Sequence, residues 1–229
     1  MLYKHLDTYK ANGLNLLNIS LDSFNEEKAE KIARTKGHKH VMRSVYKAID
    51  LGYSPLKINC VVMRGINDDE LLDFVEFVRD KDVNIRFIEF FSIAENGWSA
   101  NKMVPYKEMV SRIEEKYGPL QFEELKFGDT ARNAKLPGFK GTISFITSSS
   151  NPFCAKCNRI RLLSSGLFRR CLHDDRMFDL KDLLRKGASD DAMLESISAF
   201  MKKKEHGLAG MHNIERLQKN GLEMIKIGG

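Results

Sequence analysis

The 229-residue chain lacks most of the marks of a secreted or membrane-bound protein. No apolar run approaches the roughly 18 to 20 residues that span a bilayer. The opening residues, Met1-Leu2-Tyr3-Lys4-His5-Leu6-Asp7, are too polar for a secretory signal, and no clear transit peptide is visible. Cysteine is scarce: four residues do not make a disulfide framework in a chain this long. Internal repeats beyond a strand–helix alternation are absent, as are low-complexity segments. What is present is 42% hydrophobic and 30% charged, ordinary for a globular protein and enough for one sizeable core, or one core with an appendage. The formal charge of +6 fits a solvated basic surface or a polyanionic partner: a nucleotide, a nucleic acid or a membrane surface.

The few cysteines are unevenly placed. Cys60 lies alone in an apolar stretch and reads as a buried small hydrophobe. The other three, Cys154, Cys157 and Cys171, form C-x2-C-x13-C. Two thiols separated by two residues can face one centre, and a third reached across a turn adds another leg. Four thiolates would close a structural zinc or iron–sulfur site, whereas three leave a position open for a substrate. Reduced thiols at ligand spacing point to a reducing compartment, the cytosol or the mitochondrial matrix. Arg159 and Arg161 follow in alternation, so on a strand they share a face. Forked guanidiniums beside a metal centre suit an anionic ligand. From spacing alone, a zinc knob with His173 as fourth ligand stands beside the iron–sulfur reading.

Around this segment the chain reads as strands and helices in alternation. Residues 2–13 end a helix at Gly13. Leu14–Asp22 is a mostly apolar strand, Asn25–Lys36 and His40–Leu51 are helices, and Pro55–Met63 is a second strand. Asn67 and Glu70 resemble a capping box for a helix whose stripe is Leu71, Phe74, Val75 and Val78. Asn84–Phe91 is a third strand. This alternation predicts a parallel α/β array. After Phe91 come an irregular loop holding Trp98, a helix over Tyr106–Tyr117, a strand near Leu120–Glu124, a polar loop, and the strand Gly141–Ser148. Asn158–Leu163 and Gly166–Leu172 read as a hairpin that returns Cys171 towards Cys154 and Cys157. Helices Asp179–Lys186 and Asp190–Lys204 precede a basic tail ending in Gly228-Gly229.

These residues resemble the molybdenum cofactor biosynthesis protein A family, the GTP 3',8-cyclases. The matches are Asn18-Ile19-Ser20-Leu21-Asp22, Lys57-Ile58-Asn59-Cys60-Val61-Val62, Gly65-Ile66-Asn67-Asp68-Asp69-Glu70, Arg86-Phe87-Ile88-Glu89, Pro137-Gly138-Phe139 and Phe153-Cys154-Ala155-Lys156-Cys157-Asn158-Arg159-Ile160-Arg161. The resemblance implies a radical S-adenosylmethionine (SAM) enzyme built as a partial TIM-like (β/α) barrel, with a C-terminal α+β extension carrying an iron–sulfur site. It implies that residues 1–103 are the later part of the barrel and 104–229 the molybdenum-cofactor-synthesis domain. It further implies a [4Fe-4S] cluster on Cys154, Cys157 and Cys171, GTP contacts at Lys57, Arg159 and Arg161, and cofactor contacts for SAM at Ser20 and at Phe91, where many members carry Met. The reaction implied is GTP to 3',8-cyclo-7,8-dihydro-GTP.

The sequence departs from the family in more than Phe91: it holds no C-x3-C-x2-C for the SAM-cleaving cluster. The expectation is a fragment, truncated isoform or incomplete gene model, starting near the fourth of six barrel strands and inactive alone. Alternative readings remain for single residues. Arg159 and Arg161 could line a solvated face, Lys57 could snorkel from a strand end, and Ser20 could bond local backbone. Glu89 could be a site residue or a loop anchor. GTP is the expected partner, with a homodimer left open and neither membrane nor nucleic acid expected, because no aromatic stacking platform is evident. A basic Cys3His zinc module binding nucleic acid is the competing function. The resemblance implies the mitochondrial matrix in a eukaryote and the cytoplasm in a bacterium.

Overall fold

The structure is a computed structural model describing residues 1–93, 96–174 and 176–204, so the Gly228-Gly229 tail lies outside the described residues. It divides into two compact units: 1–90 with 101–125 and 130–151, and 91–100 with 126–129 and 152–229. The strand that follows residue 141 pairs back into the first sheet.

The first unit is mixed α/β. Its strands are β1 (Leu17–Ser20), β2 (Leu56–Val62), β3 (Val83–Glu89), β4 (Gln121–Phe122), β5 (Arg132–Lys135) and β6 (Thr142–Ile146). Their order across the sheet is β1-β2-β3-β6-β5-β4. The first four in this order run parallel; β5 runs antiparallel to β6, and β4 antiparallel to β5. The helices are α1 (Leu6–Ala11), α2 (Glu26–Ala33), α3 (His38–Asp50), α4 (Leu71–Phe77) and α5 (Tyr106–Tyr117). The parallel strands need crossovers, and α2 with α3, then α4, supply the first two.

One face of the sheet makes the core. Leu56, Ile58, Cys60 and Val62 alternate with half-buried neighbours and meet Val83, Ile85 and Phe87 of β3 and Ile143 and Phe145 of β6. Phe74 of α4 stacks on Phe24 at 4.3 Å and meets Phe87 edge-on at 6.3 Å. Cys60 is buried, as a lone small hydrophobe should be.

Several elements differ from the sequence expectations. The first strand is the four-residue β1 instead of Leu14–Asp22, with Leu14 and Leu16 exposed before it. Residues 132–135 form β5 where a polar loop was expected. Only Ala134 of this strand is buried, so it is a strand by pairing with β6 and not by hydrophobic pattern. The capping box is not formed. Asn67 accepts from the Met63 N–H at 2.7 Å and donates to the carbonyls of Asp22 and Val61. Glu70 instead takes the Ser23 hydroxyl and the Phe24 N–H, both at 2.7 Å, with Lys28 at 3.1 Å. Burial sends both side chains across to the turn after β1 and away from their own helix.

The second unit has strands β7 (Arg161–Leu162), β8 (Leu167–Arg169) and β9 (Phe178–Asp179) in one antiparallel sheet, with helices α6 (Leu180–Arg185) and α7 (Asp190–Lys202). The expected hairpin is present but shorter. Its turn closes through the Gly166 N–H to Leu163 O, at a φ of +83° that favours glycine. Phe200 of α7 packs on Phe168 and Phe178, which closes this sheet on one side. Among the described residues no helix is long and apolar enough to cross a membrane.

Two measurements check this packing. A Cβ at Gly141 would stand 2.4 Å from Val83 O and 2.6 Å from Lys81 O, both backbone atoms. Gly141→Ala is expected to cost about 1–3 kcal/mol in urea unfolding. Asp22 is the second. Burial pushes its carboxyl above the ordinary 3.8, against the opposing Val61 N–H. A raised folded-state value adds stability below the unfolded value, and that stability is lost as pH rises through the folded one. Asp22→Asn should therefore flatten the stability–pH curve upward from about pH 4, read by urea midpoints across pH.

Candidate functional site

The second face of the parallel sheet is polar, which is unusual for parallel strands, whose two faces are commonly both apolar. The register aligns Asn18 with Lys57 and Ser20 with Asn59 across β1 and β2, then Lys57 with Asn84 and Asn59 with Arg86 across β2 and β3. Residues opposite each other in a parallel register project to the same side, so Ser20 and Lys57 share this face. Asn18 and Ser20 are exposed, and Lys57, Asn59 and Arg86 are half-buried. Further along, Asn84 donates to Thr142 and Ser144 at 2.6 and 2.8 Å, and Ser144 donates to Asn133 at 2.7 Å. That end of the face is satisfied internally. The other end is not: Asn59 Oδ1 is buried with no hydrogen-bond partner. A buried acceptor without a donor costs about 1–3 kcal/mol and fits a ligand donor. Sequence reasoning missed Asn59. The alternation Lys57-x-Asn59 against Leu56, Ile58 and Cys60 was the available signal.

Glu89, at the end of β3, is fully buried on the apolar side. Its carboxylate accepts the N–H groups of Tyr106 at 2.9 Å, Ser149 at 2.8 Å and Ser150 at 2.9 Å, together with the Ser150 hydroxyl. Every lone-pair direction is spoken for by protein, so Glu89 is an anchor that ties the start of α5 to the loop after β6.

In the second unit, Cys154 opens a single 3-10 turn, Cys154–Lys156, and Cys157 ends it in extended backbone. Cys171 follows β8 by two residues. All three thiols are half-buried and free of disulfides. Cys171 feels both Cys154 and Cys157 electrostatically, so the hairpin does return it to their neighbourhood. Arg161 lies in β7, paired opposite Arg169, whereas Arg159 precedes the strand and is exposed. The two arginines therefore do not share one strand face as the alternation suggested. Phe91 belongs to this unit too, edge-on to His173 with ring centres 5.1 Å apart.

The charges around the thiols have identifiable causes. Burial pushes Cys157 up, but the Arg159 backbone N–H, the Lys204 ammonium and the Arg159 side chain outweigh it and hold the thiol below its ordinary value. Burial, with Cys154 and Cys157 nearby, pushes Cys171 up despite the His173 N–H. His173 is held down to about 4 by burial first, then by Arg169 and Arg161, so its imidazole is neutral at physiological pH. Beneath these residues lies a buried ion pair. Arg170 meets Asp174 Oδ2 through Nε at 3.0 Å and Nη2 at 2.7 Å, and Arg176 takes Asp174 Oδ1 at 2.8 Å.

Three thiols with cations close by suit a thiolate-bound centre, since the thiolate is the ligating form. Among the described residues no three His, Cys, Asp or Glu side chains are gathered to hold one metal ion. This holds for Cys154, Cys157 and Cys171 with or without His173. In an iron–sulfur cluster each thiolate takes its own iron, a wider arrangement.

Comparison with known proteins gives two family matches. Residues 1–78 match the radical SAM superfamily, and residues 83–209 match Molybdenum Cofactor Synthesis C. The chain is 45% identical over 228 residues to the mitochondrial GTP 3',8-cyclase of Arabidopsis thaliana, covering 100% of this chain and 58% of that protein. It is 42% identical over 215 residues to molybdenum cofactor biosynthesis protein 1 of Homo sapiens, covering 94% of this chain and 34% of that protein. A GTP 3',8-cyclase of Syntrophomonas wolfei is 38% identical over 223 residues, covering 96% of this chain and 67% of the relative. The chain thus spans between about one third and two thirds of the length of these relatives.

The anchor role of Glu89 is directly measurable. Glu89→Ala strands three backbone N–H groups and should cost on the order of 3 kcal/mol or more in chemical denaturation. A change under about 0.5 kcal/mol would contradict it.

Proposed function

The chain belongs to the molybdenum cofactor biosynthesis protein A family of radical SAM proteins, and from that membership we propose that it carries the substrate side of GTP 3',8-cyclisation, the first step of molybdenum cofactor synthesis. The observation that supports this most is the electrostatic proximity of Cys171 to Cys154 and Cys157, with Arg159 acting on Cys157 and Arg161 on the neighbouring His173, in a unit with no competing disulfide. Cys154, Cys157 and Cys171 would hold a [4Fe-4S] cluster, which would supply a Lewis-acidic site for the guanine of GTP. The remaining roles fall to the chain's own side chains. Arg159 and Arg161 offer forked donors to phosphate oxygens. Lys57 supplies a cation on the polar sheet face, where a half-buried charge needs an anionic partner. Asn59, with its unmet acceptor, and Ser20, its neighbour across the register, suit a ligand that brings hydroxyl or amino donors. Ser20 and Phe91 are the proposed SAM contacts. His173, neutral and packed on Phe91, holds the wall next to Cys171 without adding charge.

Cleavage of SAM in this family belongs to a C-x3-C-x2-C cluster, and these 229 residues contain no such motif. The proposed role of this chain is therefore to bind and orient GTP.

Anaerobic reconstitution with iron and sulfide tests the reading. About four irons per chain are expected, with broad visible absorption lost in Cys154→Ala, Cys157→Ala or Cys171→Ala. Stoichiometric zinc without iron would overturn the reading. In the reconstituted chain, Arg159→Ala and Arg161→Ala should each weaken GTP about tenfold or more by calorimetry, from the roughly 1.5–3 kcal/mol of a charged hydrogen bond. Incubation with SAM and reductant should release no 5'-deoxyadenosine.

A further inference from the structure

Lys204 follows helix α7 and lies far from the cysteines in sequence. Its ammonium nevertheless sits on them. It donates to Arg159 O at 3.0 Å, to Cys157 O at 3.5 Å and to Cys157 Sγ at 3.5 Å. An ammonium has three N–H donors, and these acceptors account for all of them. The two carbonyls fix the extended backbone between Cys157 and Arg159. The third contact is an N–H to the sulfur of a proposed cluster ligand.

The position of Lys204 is not left to a flexible chain end. Arg170, immediately before Cys171, donates to the Phe200 and Lys203 carbonyls at the last turn of α7, and its guanidinium lies 4.6 Å from the Phe200 ring centre. The other side of the same guanidinium is clamped by Asp174. Both Arg170 and Asp174 are 1% exposed. One buried ion pair thus fixes the end of α7 next to Cys171 and delivers Lys204 to Cys157. The arrangement joins an element after the cysteine motif to both halves of it.

We infer that Lys204 is a positioning residue that sets the reduction potential of the cluster held by Cys154, Cys157 and Cys171. The physical ground is general: hydrogen bonds to cluster sulfurs and the net charge around them move the potential of an iron–sulfur centre. A fixed cation donating to a ligand sulfur stabilises the reduced form, which carries one more negative charge. The inference rests on the cluster reading above.

The test uses the full chain, reconstituted anaerobically and titrated with dithionite and redox mediators, with the midpoint potential read by visible absorption and electron paramagnetic resonance. Lys204→Met removes the donor and the charge at similar length, and Lys204→Arg keeps both. The expected result is a midpoint shifted to more negative potential in Lys204→Met and close to that of the unmodified chain in Lys204→Arg. Loss of iron in Lys204→Met alone, with Lys204→Arg retaining it, would make Lys204 a support for cluster retention and would overturn the potential-setting role. An unchanged midpoint in Lys204→Met at full iron content, or a cluster lost in both variants, overturns it while leaving the cluster reading standing. No cluster in the unmodified chain overturns both.

Discussion

The parallel pairing of β2 with β3 decides which way every neighbouring side chain faces. Seven residue pairs, from Leu56 with Val83 to Val62 with Glu89, lie in one register. Once that register is set, Leu56, Ile58, Cys60 and Val62 must face the helices, and Lys57 and Asn59 must face away. A slip of one residue would bury the lysine and expose the core. The strands on either side inherit the choice: Asn18 and Ser20 fall in line with Lys57 and Asn59, and Ser144 falls in line with Arg86. The apolar face drives folding through the Phe24, Phe74 and Phe87 packing. The polar face is then available for chemistry at little cost to the core.

In the second unit a different constraint dominates. Its strands are two or three residues long, too short to hold a site by sheet pairing alone. The Arg170–Asp174 pair takes over that duty. Removing one member of a buried pair leaves the other charge uncompensated, typically at 3–5 kcal/mol, so neither residue can be traded away singly. The pair also satisfies the open carbonyls at the end of α7, which would otherwise need a cap or water. Burying two charges beside Cys171 makes sense where a specific placement is needed more than stability.

Much of this was legible in the residues. The parallel α/β alternation and the core-facing residues of β2 and β3 follow from hydrophobic pattern, and Gly166 marks the hairpin turn that returns Cys171. What was hidden has a common cause: the deciding partner lies far away in sequence. β5 reads Arg-Asn-Ala-Lys and is a strand only because β6 offers it an edge. Glu70 and Asn67 fit a local cap by spacing, yet both bond the turn after β1. Arg159 and Arg161 alternate as a strand would, but the ladder begins only at Arg161. Glu89 was ambiguous because an anchor and a site carboxylate look alike until Ser149 and Ser150 are seen against it.

The cysteine motif illustrates how far spacing can go. C-x2-C places its two cysteines at the ends of a single turn, a local fact that needs no tertiary knowledge. The third thiol depends on a hairpin, and the charge beside Cys157 and Cys171 includes Lys204, which no local pattern connects to Cys157. A thiolate's environment is built from whatever charge the fold delivers, and here delivery runs through Arg170 to the end of α7. Candidate ligands for such a centre can be proposed from spacing. The groups that tune it are second neighbours through space, and they become visible only when hydrogen bonds to sulfur and to the backbone around it are traced one by one.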